Sequence, residues 1–424
     1  MTVQEAIAYI ENYTWSTSKM GLERTEALLA AMGDPQKKLR FVHVTGSNGK
    51  GSTCAMVESV LRQAGYRTGL YTSPHVCDFN ERIRVCGVPI DDEALCKITE
   101  KTARFADAME DHPSQFELVT AIAMEYFLQK NCEIVILEVG MGGALDSTNV
   151  IPAPLVAAFT NIGLEHTEYL GNSIREIATT KGGIIKPGCR VVCYDGDVAA
   201  TETIRKICDE KQVPFVLAGK GSVREKGVDL DGQTFFYRDE CYRIPLLGSH
   251  QIRNAAVALR ILETLQDTGF RIPKEAVKKG LEKTFWPARF EVLKKEPVFI
   301  LDGGHNPQCA KALAETIDRV LKGKKVVFLT GVLADKDYEQ IADLIAPYAL
   351  RCVCVTPENE RALPAKDYRD VFLKRGIRAE AEDSIQEGIK QAQALAEGNP
   401  VIAFGSLYMA GTIRKELAGE ETWI

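Results

Sequence analysis

Lys50 stands between two glycines in the run Gly46-Ser47-Asn48-Gly49-Lys50-Gly51-Ser52-Thr53. The apolar stretch FVHV at 41–44 leads into this run, and a helical pattern leaves it. Glycines let successive backbone N–H groups turn inward and form a nest for an anion. A helix opening near Ser52 adds the positive end of its dipole. Lys50 is then placed to reach a terminal phosphate, with Ser52 or Thr53 facing a magnesium ion. The spacing departs from the standard G-x-x-x-x-G-K-[ST] loop, because Gly51 separates the lysine from the hydroxyls. Two readings follow from these residues: a tight strand-to-helix turn, or a phosphate cradle.

Glu138 favours the cradle. It ends the run EIVILE at 133–138, whose continuous apolar character predicts a strand buried on both faces. A lone ionised carboxylate in an apolar interior is very costly unless a cation or partner accompanies it. Ligand sites in open α/β sheets gather at the carboxyl ends of strands. Magnesium held by a carboxylate and nucleotide phosphates suits such a position. His166 follows the next apolar run, LVAAFTNI at 155–162, and is a candidate partner of Glu138. Ser173 and Glu176 have capping-box spacing, so a helix runs from there to Lys181 and ends at Gly182-Gly183. A lysine at that end is ordinarily a surface residue complementing the helix dipole.

These residues need a sheet to position them. Strand-length runs at 41–44, 133–139, 155–162 and 190–194 alternate with helical patterns. One such pattern places Met56, Val57, Val60, Leu61 and Ala64 on one helix face, with Gly65 as its stop. The alternation predicts a mostly parallel sheet covered on both sides. A short antiparallel excursion is expected at 221–247, and a helix at about 250–266. A second α/β series, VFILDGG, KKVVFLTGV, RCVCVTP and PVIAFGS, begins near Val298. The expected fold is an α/β chain: a P-loop-type, mostly parallel-sheet ATPase domain over 1–285, a linker at 286–297, and a smaller Rossmann-like α/β domain over 298–424.

The length of 424 residues suits two or three domains, and 45% hydrophobic with 26% charged residues is ordinary for a globular chain. A net charge of −6 without a basic run argues against nucleic-acid binding. No apolar run approaches the ~20 residues of a membrane span, and the first residues show no secretory signal. The twelve cysteines are scattered without C-x2-C spacing, so a reducing cytoplasm is the expected compartment.

The segments HVTGSNGKGST (43–53), TSPHVCDFNERI (72–83), ILEVGMGGALDSTN (136–149), TNIGLEHTEYLG (160–171), KGGIIKPG (181–188), LLGSHQIRNA (246–255), WPARFEVL (286–293), LDGGHNP (301–307) and FGSLYMAG (404–411) occur in one order along the chain. In that series the chain resembles the folylpolyglutamate synthase and dihydrofolate synthase family, relatives of the Mur ligases. The resemblance implies an ATP-dependent carboxylate–amine ligase. ATP would phosphorylate the γ-carboxylate of a reduced folate, and L-glutamate would attack the acyl phosphate, leaving ADP and phosphate. Dihydropteroate is a second acceptor to consider, and a Mur-type peptidoglycan precursor ligase is the competing enzyme. Only 45 residues precede Gly46, short for the UDP-binding domain such an enzyme usually carries.

Carried over by residue, the resemblance assigns Asn48, Gly49, Lys50, Gly51, Ser52 and Thr53 to the ATP phosphates and Asn254 to adenine. Ser73, Glu138 and His166 match magnesium ligands, and Lys181 matches a lysine whose carbamate would hold a second magnesium. Arg289 and Asp302 match nucleotide contacts; Asp302, His305 and Ser406 match positions tied to glutamate. Leu145, Asp146, Ser147 and Ser114 fall in segments implied to contact the folate. A monomer is expected. Two departures stand out: Ala144 replaces the family's arginine in GGRLDATN, and Ala288 replaces the glycine in PGRFE.

Overall fold

The computed structural model describes residues 1–13 and 21–418. The chain divides into two compact units. Unit 1 comprises Met1–His75, Phe79–Arg224 and Arg253–Thr284, and unit 2 comprises Val76–Asp78, Glu225–Ile252 and Phe285–Ile424.

Among the described residues, unit 1 is built on strands β1 (Phe41–Thr45), β2 (Thr68–Tyr71), β3 (Ile83–Val85), β4 (Val88–Pro89), β5 (Ile134–Glu138), β6 (Val156–Phe159), β7 (Arg190–Tyr194) and β8 (Phe215–Ala218). They lie in the order β4-β3-β2-β5-β1-β6-β7-β8. All neighbours from β2 to β8 run parallel, while β3 and β4 add an antiparallel edge. Every residue of β1, β5 and β6 is buried, as expected for strands covered on both faces. The order interposes β1 between β5 and β6, so three strand ends meet there. Val44 registers with Glu138 and Thr45 with Phe159.

The helix Lys50–Gln63 packs more completely than its sequence pattern suggests. Ser52 through Leu61 are all buried, polar residues included. The helix Lys274–Glu282 lies against it so closely that a Cβ on Gly280 would meet Val60 Cα at 2.4 Å. Ser59 donates to the Gly280 carbonyl at 2.7 Å, and Glu58 accepts from Thr68 Oγ1 at 2.7 Å. The buried polar groups of Ser59 and Glu58 are thereby satisfied.

Strands β9 (Val223–Asp229), β10 (Gly232–Tyr237) and β11 (Glu240–Ile244) form a three-stranded sheet where a short antiparallel excursion was expected. Residues Glu225–Ile252 group with unit 2 rather than with the residues before them. The rest of unit 2 holds β12 (Glu291–Lys295), β13 (Val298–Asp302), β14 (Val326–Thr330), β15 (Ala349–Cys354), β16 (Ala379–Ala381) and β17 (Val401–Phe404), ordered β12-β13-β17-β14-β15-β16. Residues Glu291–Lys295, inside the stretch read as a linker, pair antiparallel with β13. Among the described residues no helix is long and apolar enough to cross a membrane.

Candidate active site

In unit 1 the glycine loop leaves β1 in a shape that needs its glycines. Gly46 and Gly49 have φ of 153° and 89°. A Cβ on Gly46 would lie 1.9 Å from Thr160 Oγ1, and one on Gly49 would lie 2.3 Å from Asn254 Oδ1. Gly49 caps the helix that Lys50 begins, so Asn48, Gly51 and Ser52 lie on either side of its first turn. Lys50 Nζ bends back on the Gly46 carbonyl at 2.9 Å. The Thr53 hydroxyl is buried with no hydrogen-bond partner. A buried hydroxyl left unsatisfied costs about 1–3 kcal/mol.

The neighbouring strand ends are tied to this loop. Ser47 N donates to the Asn161 carbonyl at 2.7 Å. The Ser47 hydroxyl donates to the Gly163 carbonyl at 2.9 Å and accepts from Gly163 N at 3.0 Å. Thr45 Oγ1 donates to the Gly142 carbonyl at 2.7 Å. Glu138, 4% exposed, accepts from Ser73 N at 3.1 Å, which joins two of the expected metal ligands. His166 is exposed, with φ of 44°, and caps the short helix Thr167–Leu170.

Lys181 departs from the ordinary helix-end lysine. It ends the helix Ile174–Lys181 but is only 1% exposed. It donates to Glu165 Oε1 at 2.8 Å. Burial pushes its ammonium down to about 8, with Glu165 opposing and Lys50 assisting. Burial acts upward on Glu165, yet the Lys181 and Lys50 cations and the hydrogen bond from Lys181 hold its carboxyl below the usual range. Glu165 was not anticipated from the sequence. Its one signal was an acid placed directly before His166 in a loop following a buried strand.

Asp146 anchors the loop after β5. It accepts from Met141 N at 2.8 Å, Thr148 N at 3.0 Å and the Thr148 hydroxyl. Burial pushes its carboxyl up, against those hydrogen bonds. Thr148 gives its hydroxyl proton to Asp146, so His43 Nε2, 2.8 Å from that oxygen, must be the donor. His43 Nδ1 is then a buried acceptor without a partner. Asn149 Nδ2 reaches the Ala144 carbonyl at 3.1 Å and the Gly183 carbonyl at 3.2 Å, binding this loop to the segment after Lys181. Ala144 fits there because a Cβ on Gly183 would already meet it at 2.4 Å. Leu145 is 54% exposed and Ser147 is buried. Ser114 spends its hydroxyl on Glu117 at 2.7 Å, in the capping box of the helix Gln115–Gln129.

The second cluster lies in unit 2, where β13, β17 and β14 end together, Asp302 opposite Phe404 and Phe404 opposite Thr330. Asp302 accepts from Phe290 N at 2.9 Å and Gly304 N at 2.8 Å. Burial pushes its carboxyl up, with Arg289 pulling the other way. His305 Nδ1 lies 3.2 Å from the Gly303 carbonyl and therefore carries the proton, making Nε2 the basic nitrogen. Ser406, 3% exposed, accepts from Tyr408 N at 3.1 Å as the helix Leu407–Ala418 begins. Ala288 adopts φ of 52°, a conformation that favours the family's glycine.

Among the described residues no group of three or more His, Cys, Asp and Glu side chains forms a metal site by itself. Glu138, bonded to Ser73 N at the end of the strand next to β1, instead fits a magnesium ion shared with phosphates.

Comparison with known proteins accounts for both units. Residues 44–262 match the model of the Mur ligase middle domain, and residues 288–407 that of the Mur ligase glutamate ligase domain. The chain is 35% identical to the dihydrofolate synthase/folylpolyglutamate synthase of Bacillus subtilis over 427 residues, covering 98% of this chain and 99% of that one. It is 33% identical to the folylpolyglutamate synthase of Lacticaseibacillus casei over 434 residues, covering 99% of each. A solved folylpolyglutamate synthase complex with AMPPCP and folate superposes with a TM-score of 0.86 at 30% identity, covering 99% of this chain and all of that one. The chain belongs to the folylpolyglutamate synthase/dihydrofolate synthase family of the Mur ligases.

Proposed function

We propose that this protein uses ATP to join L-glutamate to the γ-carboxylate of a reduced folate. The observation that carries this reading is the glycine loop: Gly46 and Gly49 hold positive φ where β1 meets the helix that Lys50 opens, beside the strand that ends at Glu138. The backbone N–H groups from Asn48 to Ser52 cradle the phosphates, and Asn254, packed against Gly49, meets the adenine. A folate carboxylate oxygen attacks the terminal phosphorus, giving an acyl phosphate and ADP. The carboxylate is already a nucleophile, so charge neutralisation and positioning by Lys50 dominate this step. The glutamate amine then attacks the acyl carbon, forming the amide and expelling phosphate. His305, with Nε2 as its basic nitrogen, takes the amine proton, and Asp302 and Ser406 hold the amino acid.

Ser73, Glu138 and His166 would hold magnesium, which supplies positive charge to the phosphates. Lys181 has a weakened hold on its proton and is the lysine whose neutral amine would add carbon dioxide as a carbamate. Leu145, Asp146, Ser147 and Ser114 would contact the folate, and Arg289 the nucleotide. The reading extends to dihydropteroate as a second acceptor, because the B. subtilis relative carries both names. We place the protein in the cytoplasm as a monomer; its twelve scattered cysteines suit a reducing compartment. The test is ADP release with ATP, magnesium and glutamate, run separately with reduced folate and dihydropteroate. Glutamate-dependent release with the folate is the expected result, and none with either acceptor refutes the assignment.

A further inference from the structure

Arg82 is a buried cation without a counter-charge. It is 6% exposed, and its Nε has no hydrogen-bond partner. Among the described residues no carboxylate lies within ion-pair distance of it. The adjacent acid, Glu81, faces Arg84 at 4.0 Å instead. The guanidinium lies over two aromatic rings, 5.5 Å from the Phe79 centroid and 5.8 Å from that of Phe116. Such contacts soften the loss of water but do not replace a paired anion. The Tyr71 hydroxyl interacts with Arg82. Thr120 gives its proton to the Phe116 carbonyl at 2.8 Å, so Tyr71 donates to Thr120 at 3.1 Å and keeps its lone pairs for Arg82. A chain that buries a guanidinium this way keeps a binding group at the cost of stability.

The surroundings say what it binds. Arg82 precedes β3, and its carbonyl accepts from Thr72 N at 3.0 Å. Thr72 is followed by Ser73, which bonds Glu138. Phe116 is partly exposed, and a Cβ on Gly140, two residues past Glu138, would meet its ring at 2.6 Å. Arg82 therefore stands one aromatic ring away from the strand end assigned to phosphate and metal. A fork of N–H donors beside flat apolar faces suits a carboxylate attached to an aromatic body.

We propose that Arg82 binds a carboxylate of the acceptor substrate and so sets its affinity and position. This deepens the ligase reading and rests on it for the identity of the acceptor. The experiment pairs steady-state kinetics with calorimetric binding of a reduced folate and of its α,γ-diamide, using wild type, Arg82→Gln and Arg82→Lys. Arg82→Gln should raise KM for the folate roughly tenfold to a hundredfold, the loss expected for a charge-assisted hydrogen bond, with Arg82→Lys recovering part of it. KM for ATP should stay unchanged. The diamide should bind wild type and Arg82→Gln alike, and the melting temperature of Arg82→Gln should equal or exceed that of wild type. An unchanged folate KM, an equal loss with the diamide, or a raised ATP KM overturns the proposal. Wild type that binds the folate but releases no ADP would overturn the ligase reading, while the calorimetric comparison would still decide the role of Arg82.

Discussion

His43 makes the stability of unit 1 depend on acid in a calculable way. It lies in β1, fully buried, and burial, helped by the Lys186 cation, pushes its imidazole from 6.5 down to about 3. Between those values the unfolded chain carries a proton on this residue and the native chain does not. The unfolded state thus binds more protons, so stability is intact above pH 6.5 and falls as pH drops towards 3. The slope for one group is about 1.4 kcal/mol per pH unit. Two units of acidification from 6.5 therefore remove about 3 kcal/mol, a large share of the roughly 5–15 kcal/mol that holds a typical protein folded. The assay is urea unfolding at a series of pH values for wild type and His43→Gln, whose amide can still donate to Thr148 but does not titrate. The variant starts less stable through imperfect packing, so the slope is the readout. His43→Gln should have a shallower decline by about one proton's worth. Parallel slopes in the two proteins would refute the argument and mean that His43 reaches water when protonated.

Lys50→Ala should lower kcat by about a hundredfold, the usual cost of losing one transition-state donor, with little change in melting temperature because its side chain bonds only loop carbonyls. Gly49→Ala forces an L side chain to φ of 89° and drives its Cβ to 2.3 Å from Asn254 Oδ1; calorimetry should show nucleotide affinity lowered by about tenfold, since the strain of roughly 1–2 kcal/mol falls on the binding loop. With 13C-labelled bicarbonate, wild type containing magnesium and nucleotide should give a carbamate resonance that Lys181→Arg lacks. Its absence from wild type would reject the modification. A carbamate would face Glu165 with like charge, so the resonance should weaken when the metal is withdrawn.

The features written in contiguous residues were legible in the sequence. FVHV, RVVCY and VIAF are strands because unbroken apolar runs fit a sheet covered on both faces. Gly46 and Gly49 announce a tight strand-to-helix loop because φ and close approach are local demands. The strand-like segment before Ser73 is β2, but β12, with sequence EVLKK, was not legible. Its pairing with β13, not its own composition, makes it a strand. The periodicity of 56–64 marked one apolar face, whereas Ser52 through Leu61 are all buried, Ser59 among them, whose hydroxyl bonds the Gly280 carbonyl of a helix distant in sequence. Lys181 has the sequence context of a surface helix end, but the fold brings Glu165 to it and excludes water.

The sequence alone determined the chemistry on offer: a glycine cradle, its lysine, a carboxylate at a strand end, and the order of segments that marks the family. Only the tertiary structure decided which charges meet. Strand order set Glu138 beside Ser73 and left Arg82 buried without an acid. The physical reason is range. Backbone conformation answers to adjacent residues, whereas the electrostatics of a buried group depend on whatever the fold packs around it.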